Sequence, residues 1–198
     1  IVGHGVRLSG GANDFRIWVE ELGIPVVSTW NALDLLPYDH SLYVGRPGVV
    51  ALRAPNFAVQ NCDLLISIGC RLDNIITAYN PKGFARDAKK IIVDVDQNEI
   101  DKLDMNISVS IACDAAEFIK AMLKEAVPKH MDWKGWQFLC TDWKKRYAVN
   151  DGKPFSQKGI ISHYQLMNTL SEVIPESTLV ATGSSGLAVE AFYTVFRN

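Results

Sequence analysis

Four short runs, "IPVVST" (24–29), "DLLISIG" (63–69), "KIIVDVD" (90–96) and "SVSI" (108–111), alternate with stretches of helical periodicity, and this alternation narrows most what the chain can become. The longer runs are apolar almost without interruption, as strands buried on both faces are, and they belong in a parallel sheet. Helices are expected at 12–22, where Phe15, Val19 and Leu22 share a face, at 55–61, near 98–103 and at 115–125. Strand then helix, repeated over short loops, is the pattern of a doubly wound α/β fold. With 198 residues, 48% of them hydrophobic, there is material for a real core.

After residue 127 the texture changes. Trp133, Trp136, Trp143 and Tyr147 mark an amphipathic helix whose aromatic stripe is expected to pack against another domain, and a polar loop follows at 150–159. A fresh unit then begins: a helix at 162–173, a strand "STLVAT" at 177–182, the loop "GSSG" and a last helix. The expected division is a Rossmann-like central domain at 1–127, a linker helix and loop at 128–159, and the truncated start of a second α/β domain at 160–198. Both ends look severed: the first strand lacks its beginning, and a single strand cannot bury its own faces.

A formal net charge of -2, with acids and bases interspersed, argues against nucleic acid or an anionic membrane as partner. No apolar run approaches the roughly 20 residues that span a bilayer. Cys62, Cys70, Cys113 and Cys140 form no C-x-x-C pair and read as reduced core thiols of a cytoplasmic protein.

The opening "IVGHGVRLSGG" has Gly3 and Gly5 in the spacing of a dinucleotide fingerprint, but Leu8 stands where the third glycine belongs. An ordinary glycine turn from strand to loop explains the same residues. Gly45, Gly48 and Gly69 permit close backbone approach, Arg71 can pair with a phosphate, and Asp94 can accept from a ribose hydroxyl. Equally, Arg71 can pair with Asp73 or Asp94 and only order the loop.

Taken together and in order, "IVGHGVRLSGG", "GIPVVSTWNALDLLPYDHSLYVGRPG", "NFAVQNCDLLISIGCRLDN", "FARDAKKIIVDVDQNEIDKL" and "LVATGSSG" resemble the central domain of thiamine-diphosphate-dependent enzymes of the acetolactate synthase type, running into their diphosphate-binding domain. The resemblance is closest to the branch that accompanies surface-polysaccharide synthesis. It implies an enzyme that uses thiamine diphosphate and Mg2+ to decarboxylate a small 2-keto acid and joins the product to an acceptor, working as a homodimer or homotetramer. It also implies FAD or ADP in the central domain, contacted by Gly3 to Gly5, Ser28 to Asn31, Gly45, Arg46 and Gly48, Gly69 to Asp73, Asp94 and Val95, and Asp114 and Ala115. Gly183, Ser184 and Ser185 align with a loop that touches thiamine diphosphate. The activating glutamate and the metal motif would lie outside these residues, so the chain alone is expected to be inactive, with no catalytic or metal-binding residue to name. Without that glutamate the cofactor's carbanion does not form.

The chain departs from the flavin-binding members in reading "RLDNIITA" where they show "RFDDRVTG", with Ile75 for the second arginine and Ala78 for the glycine. Three other readings stand beside this one. "GHGVRLSGGANDFR" resembles the NAD-binding start of sirtuin deacylases, whose later catalytic and zinc motifs do not follow. A non-catalytic nucleotide-binding or assembly module is a second. "DVDQN" has calcium-loop spacing at Asp94, Asp96 and Asn98, but Glu99 and Met105 occupy the glycine and glutamate positions. His4 stands in the glycine loop, while His40, His130 and His163 suit surface or capping roles.

Overall fold

The computed structural model describes residues 1–125, 132–156 and 158–198, with Leu187 described by its backbone alone. The expected boundary at 127–128 and His130 lie outside the described residues.

Five strands form among the described residues: β1 (Val26–Val27), β2 (Tyr43–Gly45), β3 (Leu64–Ile68), β4 (Lys89–Asp94) and β5 (Val109–Ala112). β1 pairs with β2, β3 with β4 and β4 with β5, every pair parallel. Val2 joins the two sets, bridging Ser28 on one side and Ile68 on the other. Its N–H donates to Val27 O at 2.9 Å and its carbonyl accepts from Thr29 N at 2.9 Å, while Gly3 N donates to Ile68 O at 2.9 Å. The order across the sheet is therefore β2, β1, the Val2 segment, β3, β4, β5, with the first extended segment at the centre, as in doubly wound folds.

Eight α-helical segments accompany the sheet in this description: α1 (Gly5–Leu8), α2 (Ala12–Leu22), α3 (Arg53–Asn61), α4 (Gln97–Asp101), α5 (Ala115–Lys124), α6 (Lys134–Arg146), α7 (His163–Val173) and α8 (Phe192–Val195). One face of the sheet buries Val2, Val26, Ile68 and Val93 against Phe15, Trp18 and Val19 of α2 and Ile119 of α5. The other buries Val27, Val44, Leu65 and Ile92 against Ala54, Ala58 and Val59 of α3, Ile100 of α4 and Cys140 of α6. Neighbours along one strand, Val26 with Val27 and Ile92 with Val93, serve opposite faces. That is why the strands read as unbroken apolar runs.

The tryptophan-rich helix is α6, and it packs on α3. Phe57 meets Trp143 and Tyr147 edge-on at 5.6 and 5.4 Å between ring centroids, and Trp136 meets Trp143 at 5.7 Å. Such pairs add to the area they bury.

Residues 177–182 form no strand, contrary to expectation. A parallel strand needs a neighbour to take its N–H and C=O groups, and this segment meets none among the described residues; Leu179 is 96% exposed. A single π-helical turn, Leu187–Ala191, leads into α8. There Tyr193 stacks on Trp30 with centroids 5.0 Å apart, and Asn198 Nδ2 donates to Leu36 O at 2.9 Å. The last residues are thus fastened to the parallel-sheet unit.

Ile119 is fully buried between α5 and the sheet, whereas Ile17 lies half exposed on the outer side of α2. Ile119→Ala is expected to cost about 2–5 kcal/mol in urea unfolding and Ile17→Ala well under about 1 kcal/mol, since only the first leaves a cavity.

Candidate functional site

Two loops leave the carboxyl ends of neighbouring strand segments and cross in contact. The first runs from Gly3 into α1, the second leaves β3 at Gly69. A Cβ on Gly3 would sit 2.1 Å from Gly69 O, and one on Gly69, whose φ is +56°, would sit 2.8 Å from Gly5 Cα. Gly5 N donates to Gly69 O at 3.0 Å. These glycines permit one loop backbone to rest on another. Gly48 does the same elsewhere, since a Cβ there would lie 2.7 Å from Ile75 O, and Gly45 lies against Pro55. The close approach expected of Gly45, Gly48 and Gly69 is thus made to the protein's own chain.

Above the crossing opens a cleft of about 560 Å³, at the switch point where open α/β sheets bind ligands. Gly5, Asn31, Gly69, Arg71, Asp94 and Asp114, all expected at the site, line it together with His4. His4 Nδ1 lies 2.8 Å from Asn31 O, which ties the first loop to the residues after β1.

The carboxylates of the cleft are turned onto backbone N–H groups. Asp114 caps α5, accepting from Ala116 N at 2.8 Å and Glu117 N at 3.2 Å, as an N-cap aspartate does. Asp73 Oδ1 accepts from Ile75 N and Ile76 N at 3.0 and 3.1 Å, and Asp94 Oδ1 from Asp96 N at 3.1 Å.

Arg71 pairs with neither Asp73 nor Asp94. Its Nε and Nη2 donate to Glu99 Oε2 and Oε1 at 2.9 and 3.0 Å, a bidentate pair on the exposed rim, with Lys102 on the same carboxylate. The Arg71 hydrogen bonds, followed by that of Lys102, draw Glu99 from the ordinary 4.5 down to about 2.

Other expected site residues lie elsewhere. Gly3 lies beneath the cleft, packed on Gly69 and Cys70. Ser28 is buried with its hydroxyl 2.8 Å from that of Tyr43. Gly45, Arg46 and Gly48 lie beyond the cleft: Asn56 bonds both Gly48 N, at 2.8 Å, and Gly48 O, at 3.0 Å, and Arg46 is buried toward Thr194 and Phe196. Gly183, Ser184 and Ser185 form an exposed loop in which Ser185 Oγ accepts from Ala188 N at 3.3 Å. The sequence reading missed Leu8 and Ile75 as lining residues. Both stand where the chain departs from a pattern, Leu8 at the third fingerprint glycine and Ile75 in place of an arginine. Ala78, in place of a glycine, has φ +54°, a conformation that costs a Cβ-bearing residue roughly 1–2 kcal/mol.

A doubly wound parallel sheet with a glycine-bounded cleft at its switch point defines a Rossmann-like α/β domain. The chain belongs to the thiamine pyrophosphate enzyme family, whose central-domain model matches residues 1–122. It is 30% identical over 177 residues to the probable acetolactate synthase large subunit of Methanocaldococcus jannaschii, covering 87% of this chain and 29% of that protein. It is 32% identical over 157 residues to the acetolactate synthase large subunit of Lactococcus lactis (79% and 26%) and 39% identical over 123 residues to that of Corynebacterium glutamicum (62% and 19%). The chain spans under a third of the length of these curated relatives. These matches favour this family over the NAD-binding deacylase reading. No helix among the described residues is long and apolar enough to cross a membrane.

Glu99 titrates lower in the folded state than in the unfolded one, so its pairing stabilises above about pH 4.5 and is lost as pH falls toward about 2. The difference in urea midpoint between the protein and its Glu99→Gln variant is expected to be present near pH 7 and to vanish across that window. A difference independent of pH would assign Glu99 a role without charge.

Proposed function

We propose that this chain is the central part of a cytoplasmic enzyme of the acetolactate synthase type, dependent on thiamine diphosphate and Mg2+, which decarboxylates a small 2-keto acid and joins the product to an acceptor as a homodimer or homotetramer. The likeness to acetolactate synthase large subunits along 87% of the chain carries this reading. The free state of the four cysteines, two of them buried, agrees with a reducing compartment. The domain limits 1–127, 128–159 and 160–198 belong to the same proposal.

Within it the cleft holds an adenine nucleotide, FAD or ADP, as a structural ligand. Its volume lies within the 300–1,000 Å³ typical of small-molecule sites. Arg71 faces the phosphates from the rim, Asp94 takes a ribose hydroxyl on the oxygen that Asp96 N does not use, and the backbone around Gly5 and Gly69 forms the floor. Leu8 and Ile75 make the walls more apolar and leave Arg71 as the one guanidinium of the lining.

Thiamine diphosphate itself is not fitted by these residues. No three His, Cys, Asp or Glu side chains among the described residues are grouped to hold a metal, and Gly183 to Ser185 offer an exposed loop. No step of the thiamine chemistry is assigned to them.

Calorimetry with FAD, ADP and NAD tests the cleft. A charge-assisted bond contributes about 1.5–3 kcal/mol, so Arg71→Ala is expected to weaken nucleotide binding roughly tenfold to a hundredfold. Unchanged affinity would remove Arg71 from the site, and silence with all three ligands would remove the nucleotide. The activity is tested by CO2 release from pyruvate. Release is expected from the full-length protein with thiamine diphosphate and Mg2+, and none above background from these 198 residues alone; turnover by the short chain would move the active site into it.

A further inference from the structure

The charges around the nucleotide cleft do not balance the ligand proposed for it. Asp73, Asp94 and Asp114 line it with three carboxylates against the single guanidinium of Arg71. Each carboxylate already accepts from backbone N–H groups, and Arg71 gives its Nε and Nη2 to Glu99. Cys70, the one thiol of the lining, is neutral, because burial pushes it up to about 11. Beside the cleft, Arg7 is held by Asp34 at 2.7 Å. A diphosphate therefore enters a cleft whose fixed charge has its own sign, and like charges at close range repel.

His4 is the side chain of this lining that can add a positive charge. It stands between Gly3 and Gly5 in the first loop, and Gly5 N donates at 3.0 Å to the carbonyl of Gly69, two residues before Arg71 in the second loop. His4 and Arg71 thus stand on the two sides of one backbone crossing. The imidazole is also oriented, since its Nδ1 lies 2.8 Å from Asn31 O. A peptide carbonyl only accepts, so Nδ1 carries the hydrogen, and in the neutral ring Nε2 holds a lone pair. Nε2 makes no hydrogen bond among the described residues. A lone pair is no partner for a phosphate oxygen. Protonated, the same nitrogen becomes a charge-assisted donor while Nδ1 stays on Asn31.

We propose that His4 is a second phosphate-contacting residue of the cleft, and that a nucleotide binds together with one proton, taken up at His4 Nε2. The proton comes from the buffer, no bond of the nucleotide is made or broken, and the ring gains one positive charge beside the phosphates. The inference rests on the nucleotide reading of the cleft and adds a regulation to it: affinity rises as pH falls.

Calorimetry of the purified protein in two buffers of different ionisation enthalpy, near pH 7, reads the proton directly. FAD is the first probe, because its diphosphate exchanges no proton near neutrality; ADP, whose terminal phosphate does, is read as the difference between the protein and its variant. The heat of binding is expected to differ between the buffers by a large fraction of one proton's ionisation heat, and the affinity to rise up to about tenfold per unit fall in pH. His4→Asn keeps a side-chain N–H to donate to Asn31 O and has nothing in the place of Nε2. It is expected to bind FAD with equal heats in the two buffers and, at about pH 6, roughly tenfold more weakly than the unaltered protein. Equal heats for the unaltered protein, or an uptake kept by His4→Asn, would overturn the proposal and leave the nucleotide in the cleft. Silence with both ligands would overturn the nucleotide reading itself, and this inference with it.

Discussion

The backbone of Val2 carries the fold. Its hydrogen bonds to Val27 and Thr29 on one side, and those of Ile1 and Gly3 to Ile68 on the other, turn a two-stranded and a three-stranded set into one sheet. Because the chain winds outward from this segment in both directions, the loops that follow it and β3 diverge and open the cleft between them. The same placement forces those loops to cross at Gly3, Gly5 and Gly69, where side chains would collide with backbone. Sheet continuity, glycine usage and cleft position are consequences of one central rung.

The cleft's charges follow from its loops. Three carboxylates face it, and each first satisfies backbone N–H groups at a strand end or a helix start, which fixes the loop and leaves the N–H groups of the α5 start already taken. An anionic ligand therefore meets Arg71 and little other positive charge. Glu99 holds that guanidinium bidentately at the rim, which restricts its rotamers at the cost of competing for its donors. An exposed pair of this kind contributes modestly to stability, present above about pH 4.5 and screened by solvent. Its effect falls on where the guanidinium stands.

The parallel core was legible because strands buried on both faces have a composition that few other elements share, and α2 was found at its observed limits from the shared face of Phe15, Val19 and Leu22, with Gly23 closing it in the left-handed conformation. β2 was not legible: three residues, Tyr43 to Gly45, make no periodic pattern. Of the candidate site, the residues expected just past the Val2 segment, β3, β4 and β5 line the cleft, since topology alone sends those ends there. "GRPG" does not line it, and a glycine that admits a ligand and one that admits a neighbouring backbone look the same in one dimension. The partner of Arg71 was missed for a related reason. Glu99 is 28 positions away and reaches the arginine only once β4 and α4 have been placed beside β3.

The two ends of the chain show what local propensity can and cannot do. Both 90–96 and 177–182 are rich in residues that favour extended backbone, yet only the first is a strand, because β3 and β5 flank it and take its hydrogen bonds. Around 177–182 no such neighbour stands among the described residues, and Leu179 stays in solvent together with Ile160 and Ile161. Helix α7 buries none of its side chains, so residues 160–182 gain little from burial and depend for their position on what holds them at either side. On the carboxyl side that hold is Phe192 to Asn198, pinned by the Trp30 stack, the Leu36 carbonyl and the Arg46 guanidinium. The attachment of this unit therefore rests on a few contacts around one buried arginine.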